Sequence, residues 1–372
     1  MSEEVVVPTG SETVFDADIH LHELDADLAP YFELPWRRVL EESGLVREGP
    51  RAVRGERLFD VPGYSPLTPY DPIRGDYPEA EPHRITTPEI LLADLAARKI
   101  AAGLLFPGRL LRAAQTNDEL YVGNLMCAYN QYLAEQWVDP SRGIHGAIMA
   151  ANQIPEDAAL EIRRYAGRPG FVAVYLPLMG NYPLWGDRMY RPIFAAAEEV
   201  GLPVVLQGAL TIHPVFPYQL HHVPTALAKQ TLSQSMGATA NLVSLITAGV
   251  LARYSRLRIV INDVGIAWLP YLADRLDHFY PHLRDDVPEL TRRPSEYIRE
   301  QVYLTTHPVE SDPRLFETAL TYLGADHVLF GSDWPHFDAD GVERIQSLPI
   351  SAEVKGGILA GNARKLFGLA QV

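Results

Sequence analysis

Asp16-Ala17-Asp18-Ile19-His20-Leu21-His22 follows the apolar pair Val14-Phe15 near the start of the chain. In an extended strand, side chains alternate faces with a period of two. Asp16, Asp18, His20 and His22 would then share one face. Two imidazoles at i and i+2 can converge on one divalent cation, and a nearby carboxylate can orient them. The same spacing also suits a polar strand end with two ordinary histidines, so the rest of the chain must decide.

The chain has 372 residues, 47% of them hydrophobic, enough for a large core. That length permits two domains or one α/β barrel with insertions. With 32 Lys+Arg against 47 Asp+Glu, the formal charge is −15. Nucleic acid and anionic membranes both select basic surfaces, so neither is expected as a partner. One cysteine, Cys127, excludes an intrachain disulfide and fits a reducing cytoplasm. The first residues, Met1-Ser2-Glu3-Glu4, lack the basic flank and apolar core of a signal peptide. No apolar run is long enough for a transmembrane helix. A cytoplasmic protein is expected.

Eight short apolar runs read as buried strands: 14–19, 100–106, 144–150, 171–176, 203–207, 257–261, 301–305 and 327–330. Near-continuous Val, Ile and Leu in such runs suits strands covered on both faces, as in parallel sheets. Helical stretches are expected between most of them, at 117–137, 155–166, 190–200, 233–254, 268–279, 312–323 and 352–367. Pro155-Glu156-Asp157 is a helix-start signal, and Gly201 followed by Pro203 is a stop signal. Alternating strands and helices predict a single (βα)8 TIM barrel over 1–372. An open doubly wound sheet is the competitor, but no Gly-x-Gly-x-x-Gly follows the first strand. Two segments break the alternation. Residues 23–84 form a long insertion after the first strand, rich in Pro, Gly, Arg and Tyr. Residues 208–230 form a long loop after the fifth strand, with His213, His221 and His222. Both should emerge at the C-terminal mouth, as walls of a pocket or as subunit contacts.

A barrel enzyme should carry its polar residues at the strand C-termini. Strand one ends in His20 and His22, strand five in Gln207, and strand six in Asn262-Asp263. Strand seven ends in Thr305-Thr306-His307, and strand eight in Gly331-Ser332-Asp333-Trp334-Pro335-His336. Packing alone does not explain this pattern.

The motifs Asp18-Ile19-His20-Leu21-His22 and Gly331-Ser332-Asp333-Trp334-Pro335-His336 resemble the amidohydrolase-related family. So does the tail Ile358-Leu359-Ala360-Gly361-Asn362-Ala363-Arg364-Lys365-Leu366-Phe367-Gly368-Leu369. The segments around strand six, Tyr254 to Ile261 and Trp268 to Asp277, are similar as well. That family of metal-dependent barrels includes aminocarboxymuconate-semialdehyde decarboxylase and gamma-resorcylate decarboxylase. The resemblance implies decarboxylation or hydrolysis of a small carboxylated, cyclic or aromatic-derived compound. It also implies a homodimer.

Carried over by residue, His20 and His22 match the strand-one metal pair, and Asp333 matches the strand-eight carboxylate. Gln207 stands where the family has a third histidine, and an amide oxygen binds zinc far more weakly than imidazole does. His213 is one replacement. A harder cation, Mn²⁺ or Mg²⁺ in place of Zn²⁺, is another. A metal-free relative doing acid/base dehydration, isomerisation or cyclisation is a third, and a non-catalytic binding protein a fourth. Asp263 replaces the family's usual His or Glu and is the expected general acid/base, with Asp333 and His336 as catalytic partners. Asp18 is expected to orient a histidine ring. Trp334, His307 and Arg191 are the expected substrate contacts, Arg191 through a bidentate grip on a carboxylate. Arg188 is a second candidate for that grip.

Overall fold

A computed structural model describes residues 13–43, 84–108, 110, 118–178, 181–208, 226–336 and 338–369. Eight strands lie in one sheet in sequence order, and every paired neighbour runs parallel. They are β1 (Val14–His20), β2 (Ile100–Phe106), β3 (Ile144–Met149), β4 (Phe171–Pro177), β5 (Val204–Gln207), β6 (Ile259–Ile261), β7 (Val302–Thr305) and β8 (Val328–Leu329). Each coincides with an expected run to within about two residues. These strands are short and covered on both faces, which is why the sequence shows them as unbroken apolar blocks.

The ring closes between β1 and the chain just beyond β8. Ala17 N donates to Phe330 O (2.8 Å), Asp333 N to Asp18 O (3.1 Å) and His20 N to Trp334 O (2.8 Å). Asp16 braces the same join, accepting from Ser332 N (3.0 Å) and Ser332 Oγ (2.5 Å). The architecture is a (βα)8 barrel.

Helices separate the strands: α1 (Pro88–Ala97), α2 (Glu119–Tyr132), α3 (Pro155–Tyr165), α4 (Arg191–Val200), α5 (Ala226–Thr247), α6 (Leu269–Leu283) and α7 (Pro313–Leu323). Several begin on a side-chain cap. Thr87, Asp118 and Asp312 accept from Ile90 N, Tyr121 N and Arg314 N, satisfying first-turn donors. Gly201 ends α4 in the left-handed conformation, φ 74°. α4 buries Ile193, Phe194, Ala196 and Ala197 against the barrel. Full burial of one such large apolar side chain contributes about 1.5–3 kcal/mol.

Of the expected insertion, the described part holds short helices at Asp25–Leu28 and Trp36–Ser43. Residues 44–83 lie outside the described residues, as do 209–225 with His213, His221 and His222. Among the described residues, no helix is long and apolar enough to cross a membrane.

Candidate active site

β1, β5, β6, β7 and β8 deliver their last residues to one buried polar cluster at the C-terminal mouth. Its members are Asp18, His20, Gln207, Asn262, Asp263, His307 and Asp333, all buried. Among the described residues, the non-glycines at positive φ are Lys99, Asp263 (64°) and Asp333 (60°). Two of the three are carboxylates of this cluster. The left-handed region disfavours non-glycine residues, and strain of this kind collects at functional sites.

His20 is fixed by its Nδ1, which donates to Pro107 O (3.0 Å). Its Nε2 therefore faces the cluster, 3.1 Å from Asp333 Oδ1 and 3.3 Å from Asp18 Oδ1. Burial alone would lower its pKa, but the hydrogen bonds to Asp18 and Asp333 outweigh burial and hold it well above the usual histidine value. Asp18 thus sits at the reactive nitrogen; the orienting acceptor is a backbone carbonyl. Burial raises the Asp18 carboxyl. Apart from the His20 Nε2 contact, neither Asp18 oxygen has a hydrogen-bond donor among the described residues, although the residue is 0% exposed. A buried carboxylate without donors is costly unless a cation or proton compensates it.

Asp333 is the hub. Oδ1 also receives His336 Nδ1 (2.8 Å), and Oδ2 lies 3.6 Å from His307 Nε2. Burial pushes its carboxyl up, but His336 and His20 outweigh this and hold it well below the usual carboxylate range. Asp263 goes the other way. Burial and then the Asp333 charge push it well above the usual value. The two carboxylates are therefore pushed toward opposite acid strengths. Asp263 Oδ2 accepts from Gln234 Nε2 (2.6 Å), and Oδ1 lies 3.5 Å from His307 Nε2. Among the described residues, the groups opposing these carboxylates are His20, His307 and His336.

The amide of Gln207 turns its NH2, not its oxygen, toward His20 Nε2 (3.2 Å). Asn262 sets this orientation. Its Nδ2 donates to Gln207 Oε1 (2.7 Å) and to Ala17 O (3.1 Å).

His22 lies beyond the end of β1, which has a register shift between Asp16 and Ile19. Its backbone N donates to Ile85 O (2.8 Å). The backbone thus passes from the β2 ladder at Leu21, which donates to Phe106 O (3.0 Å), to the segment at Ile85. Two clusters of ligand-type side chains form among the described residues, His20–Asp333–His336 and Asp263–His307–Asp333; neither Asp18 nor His22 is in them. Arg191 pairs with Glu289 (3.6 Å) at the surface and is not brought to the cluster. Trp334 packs under the Arg98 guanidinium, 4.1 Å from the ring centre, and donates Nε1 to Asp94 Oδ2 (3.0 Å). His336 is 45% exposed by side chain, and its ring centre lies 4.7 Å from that of His20, at the open end of the cluster.

Sequence reasoning missed Asp340, Gln234 and the role of Asn262. Asp340 and Gln234 come from a loop after β8 and a helix after β5, where no strand-end rule points. Asn262 was visible at the end of β6 but looked like a neighbour of Asp263.

The amidohydrolase family model matches residues 17–369, and the chain belongs to that family. It is an enzyme of the amidohydrolase superfamily. It is 27% identical over 252 residues to the gamma-resorcylate decarboxylase of a Polaromonas species, covering 64% of this chain and 75% of that one. It is 26% identical over 186 residues to the 6-methylsalicylic acid decarboxylase of Penicillium expansum, covering 49% and 55%. Among solved structures, the 5-carboxyvanillate decarboxylase of Novosphingobium aromaticivorans superposes with a TM-score of 0.72 at 20% identity, covering 99% and 100%. That enzyme is complexed with manganese and 4-hydroxy-3-methoxy-5-nitrobenzoic acid. A dihydroxybenzoic acid decarboxylase from Polaromonas, with bound manganese and 2-nitroresorcinol, superposes at 0.70 and 19%, covering 97% and 98%. At these identities the structural likeness bears on the fold.

Proposed function

We propose that this chain is a divalent-metal-dependent decarboxylase of small hydroxylated aromatic acids, with His20 and Asp333 as metal-binding side chains and the Asp18 carboxylate beside them. The observation that carries the reading is the pair of buried carboxylates, Asp18 and Asp333, that converge on His20 Nε2 at 3.3 and 3.1 Å. Two carboxylates and one imidazole make an oxygen-rich set, which favours Mn²⁺ or Mg²⁺ over Zn²⁺. The manganese in the two superposed decarboxylases supports this choice. When bound, the cation supplies Lewis acidity toward the substrate's carboxylate and phenol oxygens.

The chain's own residues do the rest. His20, fixed through Nδ1 on Pro107 O, presents Nε2 to the site. Asp263, whose protonated form is favoured by burial and by the Asp333 charge, is the acid for the ring carbon that bears the carboxylate. As the bond to CO2 breaks, its electron pair stays on that carbon, which takes the Asp263 proton. Gln234 fixes the other Asp263 oxygen. His336 stands at the open end and contacts the substrate as it enters.

A second reading has its own support. The NH2 of Gln207 faces the nitrogen that a cation would need, which favours a metal-free enzyme doing acid/base chemistry with Asp263 and the histidines. Metal analysis of the purified protein, with CO2 release from 2,6-dihydroxybenzoate and 5-carboxyvanillate before and after chelation, separates the two. Bound Mn²⁺ and a chelation-sensitive release of CO2 are expected. A metal-free protein whose activity ignores added Mn²⁺ and Zn²⁺ overturns the first reading. Dimerisation and a cytoplasmic location belong to the same proposal, resting on the family likeness and the composition.

A further inference from the structure

Asp340 lies outside every motif and outside the strand ends, yet its backbone and its carboxylate are both anchored. Its backbone N donates to Ser332 O (2.9 Å), and its backbone O accepts from Arg98 Nη2 (2.8 Å). Its Oδ1 lies 3.4 Å from Arg344 Nε, and its Oδ2 accepts from Val309 N (2.8 Å). The same Oδ2 lies 3.2 Å from His307 Nδ1. The loop after β8 thus folds back and places one carboxylate beneath the ring at the end of β7.

The geometry points to Asp340 as a positioning residue that fixes which edge of His307 faces the reacting groups. With Nδ1–H given to Asp340, Nε2 is the atom aimed between Asp263 Oδ1 (3.5 Å) and Asp333 Oδ2 (3.6 Å). Without that acceptor, the ring can turn over about its Cβ–Cγ bond, which puts carbon toward Asp263. A carboxylate that holds one imidazole nitrogen sets both the tautomer and the orientation of the other. Of the partners of Asp340 just named, His307 is the one that belongs to the cluster, so Asp340 acts through it. The catalytic consequence rests on the function proposed above, whereas the orientation of His307 does not.

The test uses the full-length protein with its histidines labelled with ¹⁵N. The His307 signals are assigned by their loss in His307→Gln. Wild type is expected to show a His307 Nδ1-bound proton protected from exchange with water. Asp340→Ala should lose that protection and lower kcat by about tenfold to a hundredfold with little change in KM, the range for carboxylates that orient imidazoles. Asp340→Glu should restore part of both. If Asp340→Ala fails to fold, Asp340→Leu, a near isostere without an acceptor, provides the same readouts. A protected Nδ1 proton that survives in the variant overturns the proposal, as does an unchanged kcat. If wild type turns over no aromatic acid, the proposed function fails, and the Nδ1 signal still decides whether Asp340 fixes the ring.

Discussion

Asp263 and Asp333 occupy the ends of β6 and the β8 extension with nearly the same strained backbone, φ 64° and 60°, and opposite acid strengths. One is pushed up by burial and by its neighbour's charge; the other is held down by two histidines. Asp263→Asn should therefore remove the proton donor and leave the metal-binding groups intact. A fall in kcat of roughly 10²–10⁴-fold is expected, as for loss of a positioned acid, with metal content unchanged. Equal loss of metal and activity would assign Asp263 to metal binding.

Asp18→Asn and Asp333→Asn should each cost metal, whereas His22→Gln should not. Metal content measured after dialysis separates these residues. Retention of metal in Asp18→Asn, with loss in His22→Gln, would restore the ligand pair read from the sequence.

Gln207→His places an imidazole where an amide NH2 now faces His20. Metal retained after dialysis should rise if the β5 position weakens the natural site. No gain, with the variant folded, would mean that the amide does not limit binding.

Gly208 lies where the end of β5 passes Asp263. An added Cβ would come within 2.6 Å of Asp263 Oδ2 and 2.9 Å of its Cβ. Gly208→Ala should displace the Asp263 carboxyl from Gln234 and reduce kcat, with a stability cost of about 1–3 kcal/mol. Thermal unfolding beside kinetics distinguishes local displacement from general damage. Full activity would show that Asp263 can shift without consequence.

His145 in β3 packs on Phe15, with ring centres 5.7 Å apart, and burial lowers its pKa below 6.5. A depressed histidine favours the folded state while neutral. That contribution is present above about pH 6.5, the unfolded value, and is lost as pH falls through the lower folded value. His145→Phe should therefore gain in Tm relative to wild type as pH drops below 6.5. A Tm difference that is constant between pH 5 and pH 8 would contradict the sign.

The barrel was legible because its strands are continuous apolar runs between helix signals, and burial on both faces leaves little freedom in composition. The strand-end rule also pointed to His20, Gln207, Asp263, His307 and Asp333, which the structure gathers. It was blind to backbone irregularity. The register shift in β1 and the turn of the chain toward Ile85 are backbone features that no residue type announces. Rotation of a side-chain amide was equally hidden, since Gln207 depends on Asn262. Arg191 and Trp334 had partners on neighbouring helices and loops, Glu289, Arg98 and Asp94, that spacing along the chain does not reveal. Asp340 reaches the site only because its loop returns over Ser332.

The hydrogen bonds that join the first strand to the end of the last are made by Ala17, Asp18 and His20 with Phe330, Asp333 and Trp334. The chemistry is built into the seam of the ring. Parting that seam separates His20 and Asp18 from Asp333 even if every helix remains. Activity of the proposed site would then report whether the barrel is closed.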